Sequence, residues 1–378
     1  MASAAATTAP ALDEAAPRIS GLQVRVANPP LNVPHTTASG LIASYPLVLL
    51  DMQTEAGITG RAYLFAYTMV AAPALARLLR DLAPLLLGQP SAPRHLAALL
   101  RQRFRLLGPQ GLTGMAAAGL DMAAWDVQCK RAGLPLYAML GGVARGTLAY
   151  APVGLSGEQA AVAEARRGTQ AGFAGVKAKI GYPTLVEELR VLRAIRQAIG
   201  PDIALMVDYN QALDVPEAIR RGLALDAEPG LNLTWIEEPT TAEDYAGHSA
   251  IKAALRTPVQ AGENWWGPLE FRKAIQAGAT DLLMPDVMKL GGITPWLDVS
   301  ALSQACAMPL SNHLFAEVSA HLLSISPMAS WLEWCDWPEN LLAERVSVRD
   351  GRIWPSAKPG IGVAWDEAAV ERYGVAGA

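Results

Sequence analysis

The sequence predicts an α/β protein in which a barrel of alternating strands and helices stands behind a smaller α+β lobe. Three observations predict it. The chain opens on short segments of strand-like alternation; after about Arg145 brief apolar strands alternate with amphipathic helices; and every strand of that second series ends in a polar residue. The 378 residues exceed one average domain. A barrel of this kind takes about 250 residues alone, which leaves room for one smaller domain.

The elements follow in order. Residues 1–18 read as a flexible extension: Met1 to Pro17 is rich in Ala and Thr and lacks the basic start and apolar run of a signal peptide. From Ile19 to about Ala66, GLQVRVANPP, SYPLVLLDMQT and GITGRAYLFAY form a small antiparallel sheet, with the turn Glu55-Ala56-Gly57 before the last of them. From Met69 to Leu140 apolar residues recur at helical spacing, and GMAAAGLDMAAWDVQCKRAG closes on a glycine stop. Residues 19–145 thus make the α+β lobe. Over 146–340 the predicted strands are GVKAKI, IALMVDY, LTWIEE, VQAGEN, DLLMPDV, MPLSNHL and SWLEW, with helices between them such as Thr184 to Ile199 and Val215 to Leu225. Repetition at this spacing implies parallel strands, right-handed crossovers and closure into a barrel. The tail 341–378, with VSVRDGRIWP and GIGVAW, shows no helical pattern and is expected to return to the first lobe.

Composition narrows the function. Hydrophobic residues make up 51% and charged residues 17%, the signature of a large buried core. A net charge of -4 gives no basic surface for nucleic acid, and the apolar stretch Ala71 to Leu87 is broken by Arg77, Arg80 and Asp81, so no membrane span is expected. Cys129, Cys306 and Cys335 are widely spaced with no C-x-x-C pair, so neither a disulfide framework nor a thiolate metal site is implied, and a reducing cytoplasm suits them. The partner expected is a small molecule.

The strand ends carry the chemistry: Lys177 and Lys179, Asp208 with Asn210, Glu237 with Glu238, Glu263 with Asn264, Asp286, His313 and Glu333, each roughly one strand and one helix from the last. Active sites of such barrels collect at these ends. Asp208, Glu237 and Glu263 cannot share a pocket as bare anions, so a divalent cation is expected among them, Mg2+ first and Mn2+ second, since all three donors are oxygens. As isolated surface acids or helix caps, one such residue is ordinary and three in register are not. Lys177 and Lys179, two apart on a strand, point the same way, and a neighbouring ammonium with a divalent ion is expected to lower the pKa of one toward service as a base. Asp286 could hold a tautomer of His313 and raise its basicity. Glu333, between Trp331 and Trp334, is expected to stay protonated and donate a hydrogen bond. Together these groups predict removal of the proton beside a carboxylate, with the developing charge met by the cation, Lys177 and Glu333.

On GVKAKIGYP, MVDYNQALDVP, TWIEEPT, PVQAGENW, MPDVMKLGGIT and SNHLFAEVSAHLL, the chain resembles the mandelate racemase / muconate lactonizing enzyme family of the enolase superfamily, from about Ile19 to Trp365. The resemblance implies a modified TIM-type (β/α)7β barrel with an N-terminal α+β capping domain, and subunits in a homo-octamer. It implies Mg2+ on Asp208, Glu237 and Glu263, Lys179 as the base on one face, and His313 with Asp286 as the base on the other. It also implies that Lys177 and Glu333 hold the substrate carboxylate, that Asn210 supports the site, and that a loop near Val33 to Ile42 covers the substrate together with Tyr67. Two departures stand out: Pro152-Val153-Gly154 replaces a substrate-facing serine, and His35 stands where an apolar residue meets the aryl ring. The reading drawn first is racemisation of a mandelate-like 2-hydroxy acid, with Val33, Leu41 and Ile42 as apolar walls. Its alternative is dehydration of a sugar acid, in which His313 protonates a departing β-hydroxyl. A cycloisomerase or an epimerase ranks below these, and a non-catalytic carboxylate-binding homologue last.

Overall fold

The computed structural model describes residues 16–38 and 40–377. The extension expected over residues 1–18 lies mostly outside them. Of its end, the Pro17 carbonyl accepts the Ser91 N–H at 2.9 Å, and Arg18 donates to Gly88 O at 2.8 Å.

The first lobe holds β1 (Ile19–Ala27), β2 (Pro30–Thr37), β3 (Gly40–Ser44), β4 (Leu47–Thr54) and β5 (Thr59–Phe65), then α1 (Ala71–Leu86), α2 (Pro93–Arg103), α3 (Leu112–Ala132) and the single turn α4 (Leu136–Met139). β4 is the middle strand of an antiparallel β1-β4-β5 sheet, and its Leu47 to Leu50 are fully buried. The helices α1 and α3 cover the sheet, and α3 comes so close that a Cβ at Gly60 would lie 2.0 Å from the Ala123 carbonyl oxygen. α3 stops at Gly133, left-handed at φ 67, where the N–H groups of Gly133 and Leu134 return to the carbonyls of Lys130 and Cys129. The covering loop expected near Val33 to Ile42 is instead the hairpin β2–β3, in which His35 pairs with Ile42. Thr and Ile favour extended backbone, and Thr37 Oγ1 donates to the Gly40 carbonyl across the turn.

The second unit is a closed (β/α)7β barrel. Its strands are β6 (Thr147–Val153), β7 (Gly175–Lys179), β8 (Ala204–Asp208), β9 (Leu233–Glu237), β10 (Val259–Ala261), β11 (Leu282–Leu283) and β12 (Trp331–Glu333), all parallel, in the order β11-β10-β9-β8-β7-β6-β12. The segment around Leu310 closes the ring through single parallel bridges to Leu283 and Ala329. It makes no continuous strand, which the apolar pattern MPLSNHL alone did not foretell. The predicted strand DLLMPDV shrinks likewise to two residues, because Pro285 has no N–H for the ladder. β6, with the sequence TLAYAPV, is a further barrel strand that the sequence reading did not mark.

The helices are α5 (Glu158–Gln170), α6 (Leu185–Ile199), α7 (Val215–Ala227), α8 (Tyr245–Ala254), α9 (Gly267–Ala277), the turn α10 (Val287–Leu290), α11 (Ile293–Ala305) and α12 (Ala316–Ile325). Side chains fix several starts: Thr184, Asp214 and Asp244 accept the N–H of Glu187, Glu217 and Gly247. The tail adds β13 (Val348–Arg349) and β14 (Arg352–Ile353), which pairs antiparallel with β6, and α13 (Glu367–Tyr373), a helix the strand-like tail did not predict. It runs back to the first lobe, where Gly374 bridges Ala27 and Trp365 Nε1 donates to Asp51 at 3.0 Å. No helix of the described residues is long and apolar enough to cross a membrane.

Candidate active site

Parallel register builds the floor of the site. Lys179 pairs with Asp208 and Asp208 with Glu237 across β7, β8 and β9, so three charged side chains stand at one level on neighbouring strands. Glu263 follows β10 after Gly262, whose φ of 138 only glycine adopts readily. One oxygen from each of Asp208, Glu237 and Glu263 lies within 4.8 Å of the other two, and all three residues are buried. Glu237 is held from below: Trp235 Nε1 and Gln260 Nε2 donate to its Oε2 at 2.9 and 3.0 Å, and Ser311 donates to Gln260 Oε1 at 3.2 Å. Asn210, left-handed at φ 44, donates its N–H to Asp208 Oδ1 at 2.7 Å and its Nδ2 to Oδ2 at 3.3 Å, while its own Oδ1 is buried without a partner.

The two lysines carry the opposing charge. Lys177 donates to Glu237 and lies 2.7 Å from Glu333 Oε1, and Lys179 donates to Asp208. Burial works against both ammonium groups, yet Glu237 and Glu333 raise Lys177, and Asp208 raises Lys179, above the ordinary lysine value. These directions belong to the lysines beside bare carboxylates, whereas the lowering expected of one lysine is tied to a divalent ion held by the same carboxylates. Against its own burial, Asp208 is held below the ordinary range by Lys179 and Lys177.

His313 stands across the site. Its Nδ1 lies 2.7 Å from Asp286 Oδ2, and its Nε2 is 3.5 Å from Glu263 Oε2. Asp286 Oδ1 accepts the backbone N–H groups of Met288 and Lys289 at 2.7 and 3.0 Å, so Asp286, which forms a parallel bridge to His313, also caps α10. An ionised carboxylate only accepts; Nδ1 therefore carries the proton and Nε2 is left to the site. Glu333 corrects a further expectation. Its Oε2 accepts the Leu314 N–H at 3.0 Å and its Oε1 faces Lys177, so it is an acceptor. Against burial, Lys177 and His313 hold its carboxyl below the ordinary range, and a protonated donor is not what the structure holds.

The first lobe lies over this floor. His35 turns inward and is buried, and burial followed by the field of Lys179 lowers its pKa to about 4. Its ring meets Trp337 at 5.5 Å, and Trp337 meets Tyr45 and Phe65 at 5.2 and 6.0 Å, an aromatic seam between lobe and barrel. Two of the apolar walls expected of the hairpin face away: Leu41 is 65% exposed on the face opposite His35, and Val33 is 52% exposed where the β2–β3 pairing shifts register between Pro30 and His35. Ile42 is half-buried against the hydrophobic core. Tyr67, left-handed at φ 60, packs tilted at 38° against Phe65 at 4.2 Å and lies over the Lys289 ammonium at 4.7 Å.

Three polar residues at the site received no role from the sequence. Asn264 Nδ2 donates to both Glu238 oxygens at 2.8 and 2.9 Å, Gln211 Nε2 donates to Glu238 at 3.3 Å, and Lys289 donates to Asn264 Oδ1. Burial, with Glu263 next, pushes the Glu238 carboxyl well above the ordinary range. The signal for Lys289 was its place three residues after Asp286, one helical turn on, which a reading confined to strand ends passes over.

The donor set fits a hard divalent cation. Glu263 Oε2 is buried with no hydrogen-bond partner, burial pushes Glu237 well up, and the three clustered residues offer carboxylate oxygens. Residues 20–141 match the model of the mandelate racemase / muconate lactonizing enzyme N-terminal domain, and residues 160–369 that of the enolase C-terminal domain-like family. Over 369 residues the chain is 32% identical to L-talarate/galactarate dehydratase of Salmonella typhimurium, covering 94% of this chain and 91% of that protein. It is 42% identical to an enolase from Bradyrhizobium crystallised with magnesium and mandelic acid, with TM-score 0.90 over 95% of this chain and 99% of that one. A mutant L-talarate/galactarate dehydratase crystallised with Mg and L-glucarate is 30% identical, with TM-score 0.90 over 99% and 96% of the two chains.

Proposed function

The chain belongs to the mandelate racemase / muconate lactonizing enzyme family of the enolase superfamily, and from that premise we propose that it dehydrates a polyhydroxy acid, an aldarate or an aldonate. The observation that carries this reading is the inward turn of His35 with Val33 and Leu41 outside. An imidazole over the substrate supplies a hydrogen bond that a hydroxylated chain uses and an aryl ring does not. The likeness to a talarate/galactarate dehydratase over nearly the whole chain supports the same choice. Dehydration thus moves ahead of the racemisation that the sequence placed first.

Mg2+ is the cofactor, and Asp208, Glu237 and Glu263 would hold it. When bound it supplies positive charge that acidifies the proton beside a carboxylate. Lys177, fixed by Glu333, faces the substrate carboxylate, and Asn210 Oδ1 can accept a hydrogen bond from a hydroxyl. Lys179 takes the α-proton, and the electron pair of that C–H bond becomes the double bond to the neighbouring carbon. The β C–O bond breaks as His313 Nε2 gives its proton to the departing hydroxyl, which leaves as water. The enol left behind tautomerises to a 2-keto-3-deoxy acid. Asp286 keeps the His313 ring aimed throughout.

The test is a panel of aldaric, aldonic and aryl 2-hydroxy acids with Mg2+ in D2O, read for keto acid as its semicarbazone and for α-deuterium by NMR. Keto acid should form from one or a few sugar acids. Inversion of an aryl 2-hydroxy acid with no keto product from any sugar acid would overturn the reading. Racemisation is the second reading, and the 42% identical enolase crystallised with mandelic acid is what favours it.

A further inference from the structure

Lys289 is 6% exposed, yet among the described residues it forms no ion pair with a carboxylate within 4.0 Å. Buried ammonium groups ordinarily sit against an anion. This one has two neutral neighbours instead: Asn264 Oδ1, to which it donates, and the face of Tyr67, 4.7 Å away. The first neighbour matters for the metal centre. An amide oxygen only accepts and an amide nitrogen only donates, so a cation on Oδ1 fixes which way Asn264 faces. Its Nδ2 then lies 2.8 and 2.9 Å from the two oxygens of Glu238 and 3.4 Å from Glu263 Oε1. Turned over, the amide would set a donor against an ammonium and an acceptor against carboxylates. The pull on Glu263 Oε1 leaves Oε2, the oxygen without a partner, directed into the centre.

We propose that Lys289 is a positioning residue with two ends, one seating Tyr67 of the first lobe and the other, through Asn264, aiming Glu263 at the metal. One cation thereby sets both the cover and a metal ligand. Lys289 lies on the α10 turn that Asp286 caps, so the same turn that aims His313 also aims Glu263. The proposal rests on Glu263 being a ligand of the metal.

The experiment measures Mn2+ binding to the full chain by electron paramagnetic resonance, without substrate, together with amide hydrogen exchange over residues 66–70. Lys289→Met should weaken Mn2+ binding about 10- to 100-fold, the usual effect of losing a partner that orients a ligand. It should also speed exchange over residues 66–70. Lys289→Arg, which keeps a cation under Tyr67, should restore both to within a few-fold, and a merely structural lysine would not give that pattern. Tyr67→Leu should speed exchange and leave Mn2+ affinity within about two-fold. If Lys289→Met does not fold, Asn264→Leu decides: it keeps the lysine, breaks the relay, and should weaken Mn2+ binding as much. Equal Mn2+ affinity in wild type and in Lys289→Met, or in Asn264→Leu where that one is used, overturns the proposal alone. A wild-type chain that does not bind Mn2+ overturns the metal centre, and this proposal with it.

Discussion

Asp286 divides its two oxygens between structure and chemistry: Oδ1 caps the α10 turn through Met288 and Lys289, and Oδ2 lies 2.7 Å from His313 Nδ1. In Asp286→Asn the amide oxygen should stay with the two backbone N–H groups, which places the NH2 against Nδ1. That leaves Nδ1 unprotonated and removes the carboxylate that steadies the imidazolium, so Nε2 would have to give up its proton from a neutral imidazole, a far weaker acid. Turnover should fall about 10²- to 10⁴-fold while the melting temperature stays close to wild type. Near-normal turnover would remove Asp286 from the mechanism.

Metal dependence follows from the carboxylate floor. A chelator should abolish turnover and added Mg2+ should restore it, whichever acid is the substrate. Glu237→Gln exchanges an anionic donor for a neutral one and should weaken Mg2+ binding by at least about 10-fold, measured by titration calorimetry. Full activity in chelator would sink the metal assignment.

The barrel and the lobe were legible because they rest on local rules, as were the strand-end candidates, whereas His35 and Tyr67 were named only through the family resemblance. Short apolar runs of four to six residues between amphipathic helices marked β7 to β9, and a polar residue after each run marked its carboxyl end. What the sequence hid depends on partners distant in the chain. Glu333 looks apolar between Trp331 and Trp334, and only the fold places Lys177 2.7 Å away and makes it an acceptor. The Leu310 segment has strand-like residues but finds only isolated bridges, Leu310 to Leu283 and His313 to Asp286 on one side and Leu310 to Ala329 on the other, so no ladder forms. In the hairpin, regular alternation would put Val33 and His35 on one face; the register shift between Pro30 and His35, which the sequence does not show, accompanies an exposed Val33 and a buried imidazole.

The inward imidazole makes a substrate prediction. His35→Val should lower kcat/KM for the preferred polyhydroxy acid about 10- to 100-fold, the worth of one hydrogen bond to a substrate hydroxyl in a buried pocket. The same change should leave aryl 2-hydroxy acids unharmed or improved. Equal kcat/KM for the sugar acid in both forms would free the substrate of any contact with His35.

A buried acid away from the site gives a pH signature. Asp121 on α3 accepts the Thr294 N–H at 2.9 Å with Oδ2, its Oδ1 has no partner, and burial raises its pKa to about 7. The unfolded chain ionises this group near pH 4, whereas the folded chain keeps it protonated until about pH 7. The folded state therefore binds more protons across that window, and its contribution to stability is complete below pH 4, declines as pH rises, and is gone above about pH 7. The difference in unfolding free energy between wild type and Asp121→Asn, from denaturant titrations at several pH values, should change by a few kcal/mol across the window. A flat difference would mean the carboxyl is ionised in both states.

The sharpest test separates the two proton-handling groups. Lys179 and His313 stand on opposite sides of the carboxylate floor, and the proposed reaction gives them different work. With His313→Asn, proton removal by Lys179 needs nothing from the lost imidazole, but departure of the β-hydroxyl loses its acid. Keto acid formation should fall about 10²- to 10⁴-fold, while the substrate still exchanges its α-proton with D2O and keeps its configuration. With Lys179→Met, which retains the length of the side chain and not its amine, exchange and dehydration should both be lost. For a 2-hydroxy acid without a β-hydroxyl, the same pair of variants reads out racemisation, since each base then serves one enantiomer. Should His313→Asn neither exchange nor dehydrate while Lys179→Met still exchanges, the roles are reversed: His313 takes the proton, and Lys179 belongs with Lys177 on the substrate carboxylate.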